Sequence, residues 1–106
     1  MAELHHGEVR EYTVHPSDFG LPVYDARALR VANCAESVAC IQRALANEDG
    51  PVRDIVLLNA GAALYAAGVA ASIAEGVKRA REAVASGAAS AKLTQFVALT
   101  QRFKPA

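Results

Sequence analysis

The chain has 106 residues, room for one domain. Eleven basic residues balance eleven acidic ones, so no overall charge favours a nucleic acid or an anionic membrane surface. The hydrophobic fraction is 53%, but alanine carries much of it, aromatics are 6% and tryptophan is absent, which suits closely approached helices better than a thick sandwich of sheets.

The charge is unevenly placed along the chain. Before Ser72 there are five basic residues against nine acidic ones; from Ser72 onward there are six against two. Runs of this kind read as solvated faces. The opening MAELHHGEVR has no apolar core of the kind a secretory signal carries, and a cytoplasmic location is expected. Cys34 and Cys40 stand six apart, too far round a helix to bridge, and read as small buried hydrophobes in a reducing compartment.

Taken in order, Ala2–Leu4 and Glu8–Val14 read as two short strands, a hairpin over 2–14 that turns at His5-His6-Gly7, where Gly7 is free to take a positive φ. Alternation places Arg10, Tyr12 and Val14 on one face and Val9, Glu11 and Thr13 on the other. His15-Pro16-Ser17-Asp18-Phe19-Gly20-Leu21-Pro22 is a turn region, with Phe19 and Leu21 expected to pin it to the core. Val23–Val31 reads as loop or a short helical turn.

Asn33 with Glu36 three residues on is a capping-box start, and a helix over about 33–47 follows, with Cys34, Val38, Ile41 and Leu45 as its apolar stripe. Gly50 suits the left-handed position after a helix. Pro51 opens a second helix, about 51–67, with Asp54 at the positive end of its dipole. From Ile55 to Ala71 the only side chains with polar atoms are Asn59 and Tyr65. A helix apolar on every side is expected to be buried, and its alanines and Gly61 let neighbours come close. As a membrane span the run is short of about 20 residues, holds Asn59 and is rich in weakly inserting alanine.

Ser72-Ile73-Ala74-Glu75 is a second capping box, opening a helix over about 72–86 with Ile73, Val77, Ala80 and Val84 inward. Lys78, Arg79, Arg81 and Glu82 fall mostly outward. Gly87 closes it. The last helix is expected over about 88–101, burying Leu93, Phe96, Val97 and Thr100, with a frayed tail over 102–106. The fold class is therefore α+β, mostly α: a short N-terminal hairpin, then four helices packed around a buried alanine-rich helix, in a single unit over 1–106.

Candidate chemistry is sparse. Asp18-Phe19-Gly20 spells a kinase metal-binding tripeptide, but the other kinase segments are missing and a turn is the better reading. His5 and His6 point to opposite sides of a strand and, with His15, lack partners at ligand spacing. Asn59, as a buried amide, is expected to bond a neighbouring backbone or loop. Gly61, Gly68 and Gly76 do not form a phosphate-cradling loop. No catalytic, cofactor-binding or metal-binding residue is assigned.

Three blocks, in order and at plausible spacing, carry a resemblance: Val9–Leu21 with its PSDFGL, Gly50–Gly68 (GPVRDIVLLNAGAALYAAG) and Glu75–Leu93 (EGVKRAREAVASGAASAKL). Together with the segments around them they resemble the C-terminal third of the anthranilate phosphoribosyltransferases. The resemblance implies an enzyme of tryptophan biosynthesis that joins anthranilate to phosphoribosyl pyrophosphate with Mg²⁺. It also implies that this chain is a C-terminal fragment of the family's larger α/β domain. The family's glycine-rich diphosphate loop, anthranilate contacts and acidic metal pair correspond to nothing in this sequence. The segment is therefore expected to bind no cofactor itself, to be inactive alone, and to have the rest of the enzyme chain as its partner. The competing reading is a small helical module for self-association or protein interaction. In neither reading is a nucleic acid or a membrane a partner. A third reading, metal binding through the histidines, would show as a metal-dependent change in thermal stability.

Overall fold

The structure is a computed structural model and describes residues 1–105. Ala106, the end of the expected tail, lies outside the described residues. Strands β1 (Ala2–His5) and β2 (Glu8–Glu11) pair antiparallel, with Leu4 opposite Val9 and Glu3 opposite Arg10. Two short 3₁₀ turns follow, Pro16–Phe19 and Ala26–Leu29. Helices α1 (Cys34–Leu45), α2 (Pro51–Ala66), α3 (Ile73–Ala85) and α4 (Ala88–Gln101) complete the chain. The α+β, mostly helical order is the expected one, and the helix limits agree to within two residues.

Local chemistry explains the ends. His6 and Gly7 both take positive φ, 49° and 80°, the pairing that a two-residue hairpin turn requires. Strand β2 stops at Glu11, earlier than the Val14 expected, with one further rung joining the Tyr12 amide to the Met1 carbonyl. Asn33 Oδ1 accepts from the Glu36 amide, and Glu36 reaches back to the Ala32 amide. Ser72 and Glu75 do the same for α3, with Ala71 as the returned donor. The end of α1 differs from expectation. Asn47, not Gly50, takes the left-handed conformation, φ 64°, and the Asn47 and Glu48 amides close onto the Ala44 and Arg43 carbonyls.

The core lies between α2 and α3. Leu57 is fully buried against Ile73, Val77, Ala80 and Val84, the stripe read from the sequence of α3. Tyr12, Val14 and Phe19 pack onto this cluster from the N-terminal side, and Leu21 is buried, so the turn region is pinned as expected. Where α2 and α3 cross, no side chain separates them. A Cβ on Gly61 would stand 2.6 Å from the Val77 amide nitrogen, and one on Gly76 would overlap the Gly61 carbonyl oxygen. Small residues thus do bring the helices together.

Three expectations of burial are corrected. Helix α2 is central, but it is covered along one stripe: Asp54, Leu57 and Gly61 are buried while Ile55, Asn59 and Ala63 are exposed. Most of the stripe of α1 also faces outward: Cys34, Val38 and Ile41 are exposed, Leu45 is half-buried against the core, and the small Ala44 is the buried residue. Cys34 is therefore not a buried hydrophobe, and Cys40 is half-buried. Helix α4 has no buried residue; Leu93 is half-buried, while Phe96, Val97 and Thr100 are exposed. One physical reason covers all three. A 3.6-residue apolar period says that a face seeks cover, but not that this stretch of chain supplies it. Among the described residues no helix is long and apolar enough to cross a membrane.

Candidate functional site

Two clefts carry the polar chemistry of the fold. The first, about 460 Å³, lies between the Arg30–Val31 segment, α1 and the start of α2. It is lined by Arg30, Arg43 and Arg53 and by Glu36, Glu48 and Asp49. The Gly50-Pro51 start of α2 places Arg53 and Asp54 side by side in the first turn. Arg53, with a side chain only 13% exposed, pairs with Asp49 at 2.5 Å, reaches Asp54 at 3.4 Å and donates to Asn47 Oδ1 at 3.3 Å. Asp54 is 5% exposed. Burial raises the pKa of the neighbouring Tyr24 phenol, and the charge of Asp54 raises it further. Arg43 donates to Cys40 Sγ at 3.5 Å. Of the charges here, Arg53, Asp49 and the adjoining Asp54 are paired with one another. They fasten the α1–α2 loop to α2, and they set no nucleophile beside a base.

The second cleft, about 390 Å³, separates the hairpin from the α2–α3 connection. Here the Glu3 carboxylate accepts from the Tyr65 hydroxyl, at 2.7 and 2.9 Å to its two oxygens, and from the Tyr12 hydroxyl at 3.1 Å. The Tyr65 hydrogen bond is the largest influence on Glu3 and lowers its pKa; partial burial opposes it, and Tyr12, His5 and Arg10 add to the lowering. The same bond raises the pKa of Tyr65, with burial second. For Tyr12 burial comes first and Glu3 second, both upward. At neutral pH the cleft thus holds an ionised carboxylate between two neutral phenols.

The residues singled out from the sequence do not converge. His5 and His6 sit at the hairpin turn with ring centroids 4.0 Å apart, edge to face. His15 lies beyond the hairpin and precedes the first 3₁₀ turn, where its amide donates to Asp18 at 2.9 Å. Asp18-Phe19-Gly20 is a turn, Gly20 at φ 72° closing it. Asn59 bonds backbone, donating to the Ile55 carbonyl at 2.9 Å, but from an exposed position. Among the described residues no three of His, Cys, Asp and Glu stand close enough to hold a metal ion. The two polar clusters that do exist were not assembled from the sequence. Tyr65 stood out as a polar atom in an apolar run, yet nothing local pointed to Glu3, 62 positions away.

Comparison with known proteins gives these features a context. Residues 1–90 match the glycosyl transferase family, a/b domain. Over all 106 residues the chain is 73% identical to an anthranilate phosphoribosyltransferase of Leptothrix cholodnii and 74% identical to one of Methylibium petroleiphilum, and it spans 31% of each. It is 57% identical over 104 residues to one of Cupriavidus necator, spanning 30% of that relative. The chain thus covers about a third of the length of the curated relatives it matches.

Proposed function

The chain belongs to the glycosyl transferase family, a/b domain, and from that premise we propose that it is the C-terminal structural segment of an anthranilate phosphoribosyltransferase. The whole enzyme would join anthranilate to phosphoribosyl pyrophosphate in tryptophan biosynthesis, in the cytoplasm. The observation that carries this reading is identity above 70% along the full chain to relatives three times its length. The exposed stripes of α1 and α4, and Leu4 and Val9 on the hairpin at 73% and 69% exposure, are surfaces that the rest of such an enzyme would cover.

In this reading the Mg²⁺ that such a transfer implies is held by the rest of the enzyme. No step of the transfer is therefore assigned to this chain. Its part is to supply the α2–α3 core and to hold the hairpin against it. Phosphoribosyl transfer needs positioned donors and a metal around the departing diphosphate. The expected result is no loss of anthranilate fluorescence above background when the 106-residue chain is incubated with phosphoribosyl pyrophosphate and Mg²⁺. Turnover by the chain alone would overturn the assignment of a purely structural part.

The same exposed apolar residues favour a second reading, a self-associating or partner-binding module. Phe96 and Phe103 on α4 and just after it, 59% and 78% exposed, are its strongest support. Light scattering across a dilution series is expected to give a mass above that of the 11.1 kDa chain, together with binding of a hydrophobic dye. A monomer that binds no dye would eliminate this module.

A further inference from the structure

Among the described residues Asp54 is the only buried charged one, its side chain 7% exposed. A carboxylate so placed needs donors on both oxygens. Arg53 Nε and Nη2 both reach Oδ1, at 3.4 Å, and no donor stands within hydrogen-bond distance of Oδ2. Arg53 is also shared, since it pairs with Asp49 and donates to Asn47 on the side of the first cleft. One guanidinium thus faces two carboxylates, and the positive end of α2 makes up only part of the difference. No sealed-in side-chain oxygen lacks a partner, so Oδ2 keeps an open side.

Asp54 does not line the first cleft but a smaller pocket of about 110 Å³, between the two 3₁₀ turns and the start of α2. The walls are Pro16, Leu21, Leu29, Ile55 and Leu58, Tyr24 stands with Asp54 as the polar side, and no basic residue lines it. The whole lining falls between residues 16 and 58, away from both ends of the chain. We propose that this pocket is a binding site for a primary alkylammonium, whose head donates to Asp54 Oδ2 and to the Tyr24 oxygen while its stem lies along the apolar walls. An ammonium brings three donors and the positive charge that Arg53 shares with Asp49. A stem of about four carbons, the length a lysine carries, has apolar surface to cover on every other side. An alcohol of the same length lacks the charge, and a quaternary ammonium lacks the N–H donors, so neither is a substitute.

Proton–nitrogen NMR of the full chain at neutral pH, titrated with n-butylammonium chloride, tests this. Amides within residues 17–29 and 52–58 should shift and saturate at roughly millimolar ligand, the range open to so small a molecule. On the parent chain n-butanol and tetramethylammonium should each bind about tenfold more weakly or worse, as expected for loss of a hydrogen bond to a charged group. Asp54→Asn should weaken n-butylammonium to the same extent; because that change also loosens Arg53, the two analogues provide the comparison that needs no variant. Equal binding of n-butanol would make the pocket merely apolar and overturn the site. So would shifts centred on Glu48 and Asp49, which would make the amine a counterion of the first cleft, and so would the absence of any saturable shift.

Discussion

Gly76→Ala should lower the thermal midpoint by more than about 10 °C, the size of shift that a loss of about 3 kcal/mol produces in a domain of this length. The direction is the informative part. Within an exposed helix alanine is favoured over glycine by about 1 kcal/mol, so propensity alone would make this substitution stabilising. The crossing of α2 and α3 reverses it. The new methyl would fall on the Gly61 carbonyl oxygen and within 2.9 Å of its Cα, all backbone atoms of a helix that cannot yield locally. Overpacking of well-filled contacts costs about 1–3 kcal/mol and occasionally more. Here the contact is main chain on main chain, which places the effect at the upper end. Gly61→Ala should behave alike, since its methyl would meet the Val77 backbone. Thermal unfolding followed by circular dichroism checks both. A Gly76→Ala variant as stable as the parent would mean that the helices are not in backbone contact.

Leu57→Ala should cost about 2–5 kcal/mol, the range for truncating a buried leucine, and lie in the upper half of it. The cost of such a cavity depends on how far the surroundings collapse into it. Around Leu57 they can collapse little, because Val77 and Ala80 stand on a helix already stopped by the Gly61–Gly76 contact. Phe96→Ala, though it removes a larger side chain, should change the stability of the isolated chain by no more than about 0.5 kcal/mol, since Phe96 is 59% exposed. Urea unfolding of the two variants separates burial from size. Equal losses would place the core elsewhere than between α2 and α3.

How much of this was legible follows from the range of each signal. Elements were readable because their causes are local: capping boxes at Asn33 and Ser72, Pro51 opening α2, Gly7 turning the hairpin. The inner stripe of α3 was readable because its other face is strongly charged, so only one orientation suits water. The stripes of α1 and α4 misled because a period identifies a face without identifying its cover. The run over 55–71 misled in the same way, since alanine is tolerated in either setting. The Glu3–Tyr65 bond was out of reach, for no spacing rule links residues 62 apart. The Arg53 cluster was half in view: Asp49 and Arg53 are four apart, but the burial of Asp54 beside them is a property of the packed helices.

The order in which these parts associate follows from the same Glu3–Tyr65 bond. Helices α2 and α3 are neighbours in the chain, so their pairing closes only a short loop and can proceed fast. The hairpin must instead close a loop of roughly sixty residues, and its reward comes only once Tyr65 is already held in a formed helix. By loop closure, pairing of α2 with α3 is therefore expected to precede docking of the hairpin on Tyr65.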